Sequence, residues 1–447
     1  MPKGGGESLI SWGKSDLGCG MLKLHRLKIE RFRTVKPCEL YFNDGLNILL
    51  GRNGSGKTSL LKLITALYRS PIGEILPGEE YELEVEFRLS VGSIIAHIKR
   101  TFGHLNAIRA MDPGNLEDLS VFELDIQIAF GSKFELNAKC PHPHHNHFNA
   151  WLLKYGDKQD KLSLDYRRLS VLLIIIELIH GQSFTDPANV RDNEIDLRFG
   201  NSLAPFRFDE SLDALDVIRE KKIGFSVWRN GVPAITATDS LPVGYLDLFY
   251  KHLSDNPTRS NLVLDDKSLE FLKKFIDMTS LQSARMVCER IEKNIRAGSP
   301  ELTWNVFGNF RFSFIRRDGS EFWQDQLSYG QKRLLIFLYY ISAFSQVIIS
   351  DELVNGLHHE WIEACVRAMQ GKQAFLTSQN PLLLDHLSFE SQEEVRKTFL
   401  LCSATPQPSG DVMQWKNMSQ TEAEIFYQAY QVGIQHVSEI LHSEGLW

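Results

Sequence analysis

Residues 46–59, Leu46-Asn47-Ile48-Leu49-Leu50-Gly51-Arg52-Asn53-Gly54-Ser55-Gly56-Lys57-Thr58-Ser59, decide the fold of this 447-residue chain. An apolar run of strand length stops abruptly at Gly51, and SLLKLITALY (59–68) then spaces its Leu and Ile residues as a helix does. Strand, glycine loop and helix in that order form the setting in which GxxxxGK[ST] cradles the phosphates of a nucleoside triphosphate. The glycines let successive backbone N–H groups converge, and the helix start adds partial positive charge. Lys57 is predicted to meet the β- and γ-phosphates. Thr58 offers a hydroxyl to Mg²⁺, a hard ion that takes oxygen ligands. The expected cofactors are ATP and Mg²⁺, and the expected nucleotide-binding set is Gly51, Arg52, Asn53, Gly54, Ser55, Gly56, Lys57, Thr58 and Ser59.

Such a loop needs an acidic partner at the end of a buried strand. Val347-Ile348-Ile349-Ser350-Asp351-Glu352 supplies it: four strand residues and then two carboxylates. Asp351 is expected in the metal shell and Glu352 as the group that polarises the attacking water. Upstream of the loop, LKLHRLKIERFR and CELYF read as two strands feeding the third. Residues 81–100 and 122–137 alternate apolar and polar side chains, as an antiparallel sheet does. The stretch 151–296 reads as mainly helical, from LDYRRLSVLLIIIELI and SLEFLKKFIDM. A hairpin over 310–323 turning at Asp318-Gly319, a helix over 333–344, a strand at 347–350, a helix over 361–369 and a strand at 374–377 complete the pattern. The core is thus an α/β assembly drawn from both ends of the chain.

Composition bounds the function classes. With 43% hydrophobic and 23% charged residues the chain is ordinary globular material. A net charge of −7 argues against a surface covered in nucleic-acid contacts, while a local basic groove stays compatible. Six dispersed cysteines without a CxxC pair suggest free thiols, hence a cytoplasmic protein. The greasiest run, 169–179, contains Ser170 and Glu177 and is too short to span a membrane. The dense Cys140-Pro141-His142-Pro143-His144-His145-Asn146-His147 has the wrong spacing for a zinc module and reads as a loop without a physiological metal. Residues 419–446 open with a helix cap and read as one amphipathic helix.

Together these motifs resemble the ABC-type ATPase superfamily, in its soluble branch with RecF, the SMC proteins and the OLD nucleases. Leu327-Ser328-Tyr329-Gly330-Gln331 is similar to the LSGGQ signature, with Tyr329 in place of the first glycine. The resemblance implies that this segment contacts the ATP of a second copy. Asp351-Glu352-Leu353-Val354-Asn355-Gly356-Leu357-His358 resembles the DE-x-x-x-x-LH stretch, which implies that Asn355, Gly356, Leu357 and His358 form the D-loop. Thr377-Ser378-Gln379-Asn380-Pro381 is similar to the switch segment T-H-S-P, with Gln379 where a phosphate-sensing His is common. Glutamine donates a hydrogen bond but carries no charge, which suggests slow hydrolysis. By the same resemblance Arg33 lies beside the nucleotide.

The expected fold is therefore an α/β P-loop NTPase, an ABC ATPase head with an antiparallel β subdomain and a helical insertion. Its expected divisions are a flexible extension (1–20), the N-terminal core half (21–140), the helical insertion (141–305), the C-terminal core half (306–400), and a final strand and amphipathic helix (401–447). Expected partners are the chain itself, as a homodimer or higher even-numbered oligomer, and a separate effector or nuclease subunit. DNA or RNA is a further candidate, and no membrane is expected. The residues after the switch lack the carboxylate cluster a Toprim nuclease needs. Stand-alone chains of this build resemble the ATPase components of antiphage systems such as Septu and PARIS; the rival reading is a RecF-like DNA clamp.

Overall fold

The computed structural model describes residues 23–69, 79–89, 92–102, 120–130, 134–140, 148–155, 158–165, 215, 219, 223–227, 233–237, 248, 252, 260–295, 303–343, 347–378, 380–408 and 410–446. Along the chain come β1 (Lys23–Phe32), β2 (Cys38–Tyr41), β3 (Leu46–Leu50) and α1 (Lys57–Arg69). Strands β4 (Tyr81–Leu89), β5 (Gly92–Phe102), β6 (Ser120–Phe130), β7 (Phe134–Cys140), β8 (Phe148–Tyr155) and β9 (Lys158–Asp165) follow. Next are β10 (Ile223–Val227), β11 (Pro233–Ala237), β12 (Asn261–Asp265), α2 (Glu270–Asp277), β13 (Leu281–Ile295), β14 (Thr303–Arg316), β15 (Glu321–Trp323) and α3 (Tyr329–Ala343). The last part holds β16 (Val347–Ser350), α4 (His359–Ala368), β17 (Gln373–Thr377), α5 (Pro381–Asp385) and α6 (Gln392–Thr398). It ends with β18 (Phe399–Thr405), β19 (Val412–Asn417), α7 (Gln420–Val432) and α8 (Val437–Ser443).

One compact unit gathers 23–33 with 79–164. Its sheet runs β1-β4-β5-β6-β7-β8-β9. Alternation explains it: Tyr81, Leu83, Val85 and Phe87 of β4 are buried, and so are Leu27 and Ile29 of β1. Between them Glu84 and Glu86 face Arg26 across the strands. Two register shifts in β1, at Leu24/Arg26 and Ile29/Arg31, keep Leu24 and Phe32 on the buried side.

The second unit holds 34–78 and 165–447. Its central sheet runs β16-β17-β3-β18-β19, parallel except for the last pair. Strands from residues 46–50, 347–350, 373–377 and 399–405 therefore lie side by side, and the core is drawn from both ends of the chain. β3, β16 and β17 are buried along nearly their whole length, as parallel strands covered on both faces are. A second sheet, β11-β10-β14-β13-β12, turns Phe310, Phe312 and Phe314 inward. Phe271 of α2 meets Phe312 and Tyr339 edge-on, with ring centroids 6.0 and 5.5 Å apart.

Three expectations are corrected. The stretch 141–305 is not mainly helical among the described residues: β8, β9, β10, β11, β12 and β13 lie there, with α2 formed by the SLEFLKKFIDM segment. The apolar LDYRRLSVLLIIIELI run that suggested helix lies almost wholly outside the described residues, whereas Ala284, Met286 and Cys288 of β13 bury every second position. The first-half boundary at 140 falls inside a sheet that continues to Asp165, and the boundary at 400 cuts β18, which pairs with β3 from Phe399 onward. The C-terminal helix is two, α7 and α8, because Gly433 ends α7 in the left-handed region (φ 71°). Its capping box at Ser419 and Glu422 forms as expected. The stripe packs on the chain's own core, Phe426 meeting Phe389 and Phe399.

Candidate functional site

The whole site sits in the second unit, at the C-terminal ends of the parallel strands. β3 delivers Gly51, and α1 begins at Lys57. Gly51, Gly54 and Gly56 all have positive φ (147°, 80° and 86°), so the loop is closed by conformations that favour glycine. Lys57 is 8% exposed, and its ammonium donates to the carbonyls of Gly51 (2.7 Å) and Arg52 (3.1 Å), so the charge is held over the loop itself. Helix α1 has no acidic residue in its first turn, which leaves its positive end to an anionic ligand. The Ser55 hydroxyl is buried inside the loop without a protein hydrogen bond.

The acidic pair meets this loop. The hydroxyl of Thr58 donates to Asp351 Oδ2 at 2.9 Å, across 293 residues of sequence. Thr377, at the end of β17, donates its hydroxyl to Asp351 Oδ1 (2.5 Å) and accepts from the backbone N–H of Glu352 (2.9 Å). Hydroxyl and carboxylate oxygens facing one another are the donor set a magnesium ion takes, so these residues fit a Mg–nucleotide. Glu352 stands in the left-handed region at φ 52°, a strain of about 1–2 kcal/mol for a residue with a Cβ. Arg333, 1% exposed, lies behind it and donates to the carbonyls of Glu352 (2.9 Å) and Leu353 (3.2 Å). Tyr340 serves the outer strand: its hydroxyl accepts from Ile349 N–H (2.9 Å) and donates to Ile349 O (3.2 Å).

The signature-like segment opens α3. Leu327 is buried, and Ser328 forms a capping box with Gln331: the Gln331 N–H donates to the Ser328 hydroxyl (3.3 Å) and the Ser328 N–H to Gln331 Oε1 (2.9 Å). Ser328 thus serves as a helix cap in this chain. Tyr329 is 47% exposed and its ring lies on Gly356, whose φ is +76°. A Cβ at Gly330 would stand 2.7 Å from Gly356 O. The predicted signature and D-loop of one chain are therefore packed on each other. Leu357 packs against the core, and His358 meets Trp361 edge-on at 4.9 Å. Asn355 N–H donates to Glu352 O at 3.4 Å.

Some expected residues fall elsewhere. Gln379 and the histidines of 141–147 lie outside the described residues, whereas Asn380 caps α5 by accepting from Leu382 N–H (3.0 Å). Arg33 belongs to the first unit, where it pairs with Glu79 (Nε–Oε2 2.7 Å). That bond, more than the modest burial opposing it, raises the guanidinium's pKa. The sequence gives no role to Arg333, to Tyr340 or to Trp415, whose indole N–H donates to Ser55 O (3.3 Å), and it names Thr377 only as part of the switch-like segment. Thr377 alone left a signal, a polar residue closing an apolar strand; the others are joined to the site only by folding.

A family model described as AAA domain, putative AbiEii toxin, Type IV TA system matches residues 46–385. The DNA replication and repair protein RecF of Vibrio cholerae is 39% identical over 79 residues, 16% of this chain and 22% of that protein. RecF of Shewanella piezotolerans is 51% identical over 43 residues, 10% and 12% of the two chains. The chain thus spans about a fifth or less of the length of these curated relatives. Among solved structures, the SMC head domain from Thermotoga maritima aligns with a TM-score of 0.34 and 10% identity, covering 89% of this chain and 99% of that one. The Smc head domain of Pyrococcus furiosus with an extended coiled coil, bound to the C-terminal domain of ScpA, aligns at 0.36 and 10%, covering 92% and 100%. Among the described residues no helix is long and apolar enough to cross a membrane. The family model spans well over half of the chain and takes in the glycine loop and the acidic pair, so this P-loop ATPase fold belongs to the family of the AAA domain, putative AbiEii toxin, Type IV TA system.

Proposed function

We propose that the chain is an ABC-type ATPase that binds ATP with magnesium between two copies of itself and uses the nucleotide state to assemble or activate a separate effector, such as a nuclease, in prokaryotic antiphage defence. The observation that carries the catalytic part is the 2.9 Å contact from Thr58 to Asp351, which joins the phosphate loop to the acidic pair. In this reading Lys57 and the loop amides bind the phosphates, and Thr58 and Asp351 hold the metal. Glu352 orients and deprotonates the attacking water. A magnesium ion held there would supply positive charge to offset that of the phosphates. Leu327, Ser328, Tyr329, Gly330 and Gln331 of the second copy close the site, with Asn355, Gly356, Leu357 and His358 at the junction. Gln379 falls in the segment that resembles the switch, where an uncharged side chain makes turnover slow. A family described by a putative toxin of a TA system agrees with a chain that works with a separately encoded partner.

A second reading, a RecF-like DNA clamp, is supported by the 39% identity to RecF over 79 residues. Two measurements separate them. ATP turnover stimulated by DNA, with binding that weakens steeply in salt, favours the clamp; stable copurification with a nuclease encoded beside the gene favours the effector reading. The dimer is tested by Glu352→Gln, which keeps shape and removes the base. Sedimentation should show an ATP-dependent dimer that outlasts the wild type's, and a variant that stays monomeric in ATP rejects the sandwich.

A further inference from the structure

We infer that the C-terminal hairpin β18–β19 is a wall of the nucleotide site, and that Trp415 is a positioning residue that sets the P-loop's backbone. The inference rests on the reading of 51–58 as an ATP loop. The hairpin lies beyond residue 385, where the family match ends, and neither the motif nor the resemblance gives it a part in binding.

Four contacts carry it. β18 runs parallel to β3, the strand that delivers the loop, with Leu50 opposite Leu401. A Cβ at Gly51 would collide with the backbone carbonyl of Cys402, so the first loop glycine lies directly on β18. Trp415 is the cross-strand partner of Cys402, is 1% exposed, and donates its indole N–H to the carbonyl of Ser55 (3.3 Å). A Cβ at Gly56 would stand 2.6 Å from Met413 Sδ and 3.1 Å from Trp415 Nε1, so the last loop glycine is backed by two side chains of β19. Gly54 is the contrast: a Cβ there meets nothing within 4 Å. The loop therefore has an open side and a side pressed on the hairpin.

The hairpin is itself held. Met413 N–H donates to Thr34 O (3.0 Å), and Lys36 N–H donates to Met413 O (2.9 Å). Converging several N–H groups on one phosphate costs conformational freedom that a surface loop otherwise keeps. A rigid backing removes that cost before the ligand arrives, which raises affinity by preorganisation. By taking the Ser55 carbonyl, Trp415 fixes the 55–56 peptide and hence the direction of the N–H groups on either side of it.

Trp415→Phe keeps an aromatic side chain but removes the indole N–H together with the fused five-membered ring. One neutral hydrogen bond of this kind should weaken ATP·Mg binding about threefold to tenfold, with kcat at saturating ATP changed less than twofold, the mark of a group that acts in ground-state binding. Tyr68→Phe is the control: on the helix after the loop it removes one hydroxyl and with it a buried hydrogen bond to Gln373 of β17 (3.1 Å). Its ATP affinity should equal wild type. The change in tryptophan emission on adding ATP·Mg should also shrink in Trp415→Phe. Wild-type affinity in Trp415→Phe, or an equal loss in Tyr68→Phe, overturns the inference while leaving the P-loop reading intact. A wild-type protein that binds no ATP removes that reading and the inference with it.

Discussion

Arg333 is the most informative residue to change. It donates from inside the core to the carbonyls of Glu352 and Leu353 at 2.9 and 3.2 Å, and so pins the peptide on which the proposed base stands. Hydrogen bonds from a charged group are worth about 1.5–3 kcal/mol each. Arg333→Met fills similar volume but leaves both carbonyls short of a donor, and the offsetting relief of a buried cation brings the expected loss of stability to about 2–4 kcal/mol. That loss exceeds the strain of about 1–2 kcal/mol stored at Glu352, whose φ is 52°, so the peptide should relax toward ordinary backbone. A base displaced by about 1 Å loses on the order of 100-fold in rate. Lys57, Thr58 and the loop glycines are untouched, so ATP affinity should stay within about threefold of wild type. Urea unfolding measures the first quantity, phosphate release the second and a nucleotide titration the third. A folded Arg333→Met protein with wild-type kcat would show that the arginine does not hold Glu352. A parallel loss of affinity and rate would mean that it supports the fold without acting through that residue.

Other expectations follow from single contacts. Lys57→Ala should reduce ATP binding below detection in calorimetry, and retained affinity would remove the assignment of 51–58. Gly330→Ala places a Cβ 2.7 Å from Gly356 O and 3.2 Å from Trp361 Cζ3, so it should cost about 1–3 kcal/mol in unfolding experiments and weaken nucleotide-dependent dimerisation. Burial pushes the Cys288 and Cys402 thiols up to about 12 and Cys38 to about 11. All three stay protonated near neutral pH, and a thiol reagent should label them far more slowly in folded than in unfolded protein, with Cys38 leading. Hydrogen bonds from Arg396 hold Glu393 near 2, below its unfolded value, so this pair's contribution is present above about pH 4.3 and is lost as pH falls toward 2. The carboxylate is half exposed, so Glu393→Gln should cost at most about 1 kcal/mol in chemical denaturation at pH 7, and nothing near pH 2.

The sequence by itself determined the local grammar of the site. The strand, the glycine loop and the helix of 46–69 could be read because their signals are short-range: an apolar run, glycines where φ turns positive, and helical spacing after Lys57. The acidic pair at 351–352 was legible for the same reason. Tertiary structure decided what lies behind these motifs. Thr58 and Asp351 meet across 293 residues, and Trp415 reaches Ser55 across 360. Nothing in a window of ten residues marks Trp415 as different from any buried tryptophan. The parallel pairing of β18 with β3 brings it there, and that pairing depends on buried apolar residues at both ends of the chain. Among its described residues the middle of the chain departs from the helical expectation because period two and period 3.6 overlap in short apolar runs, and a sheet settles that choice only when a neighbouring strand takes the hydrogen bonds.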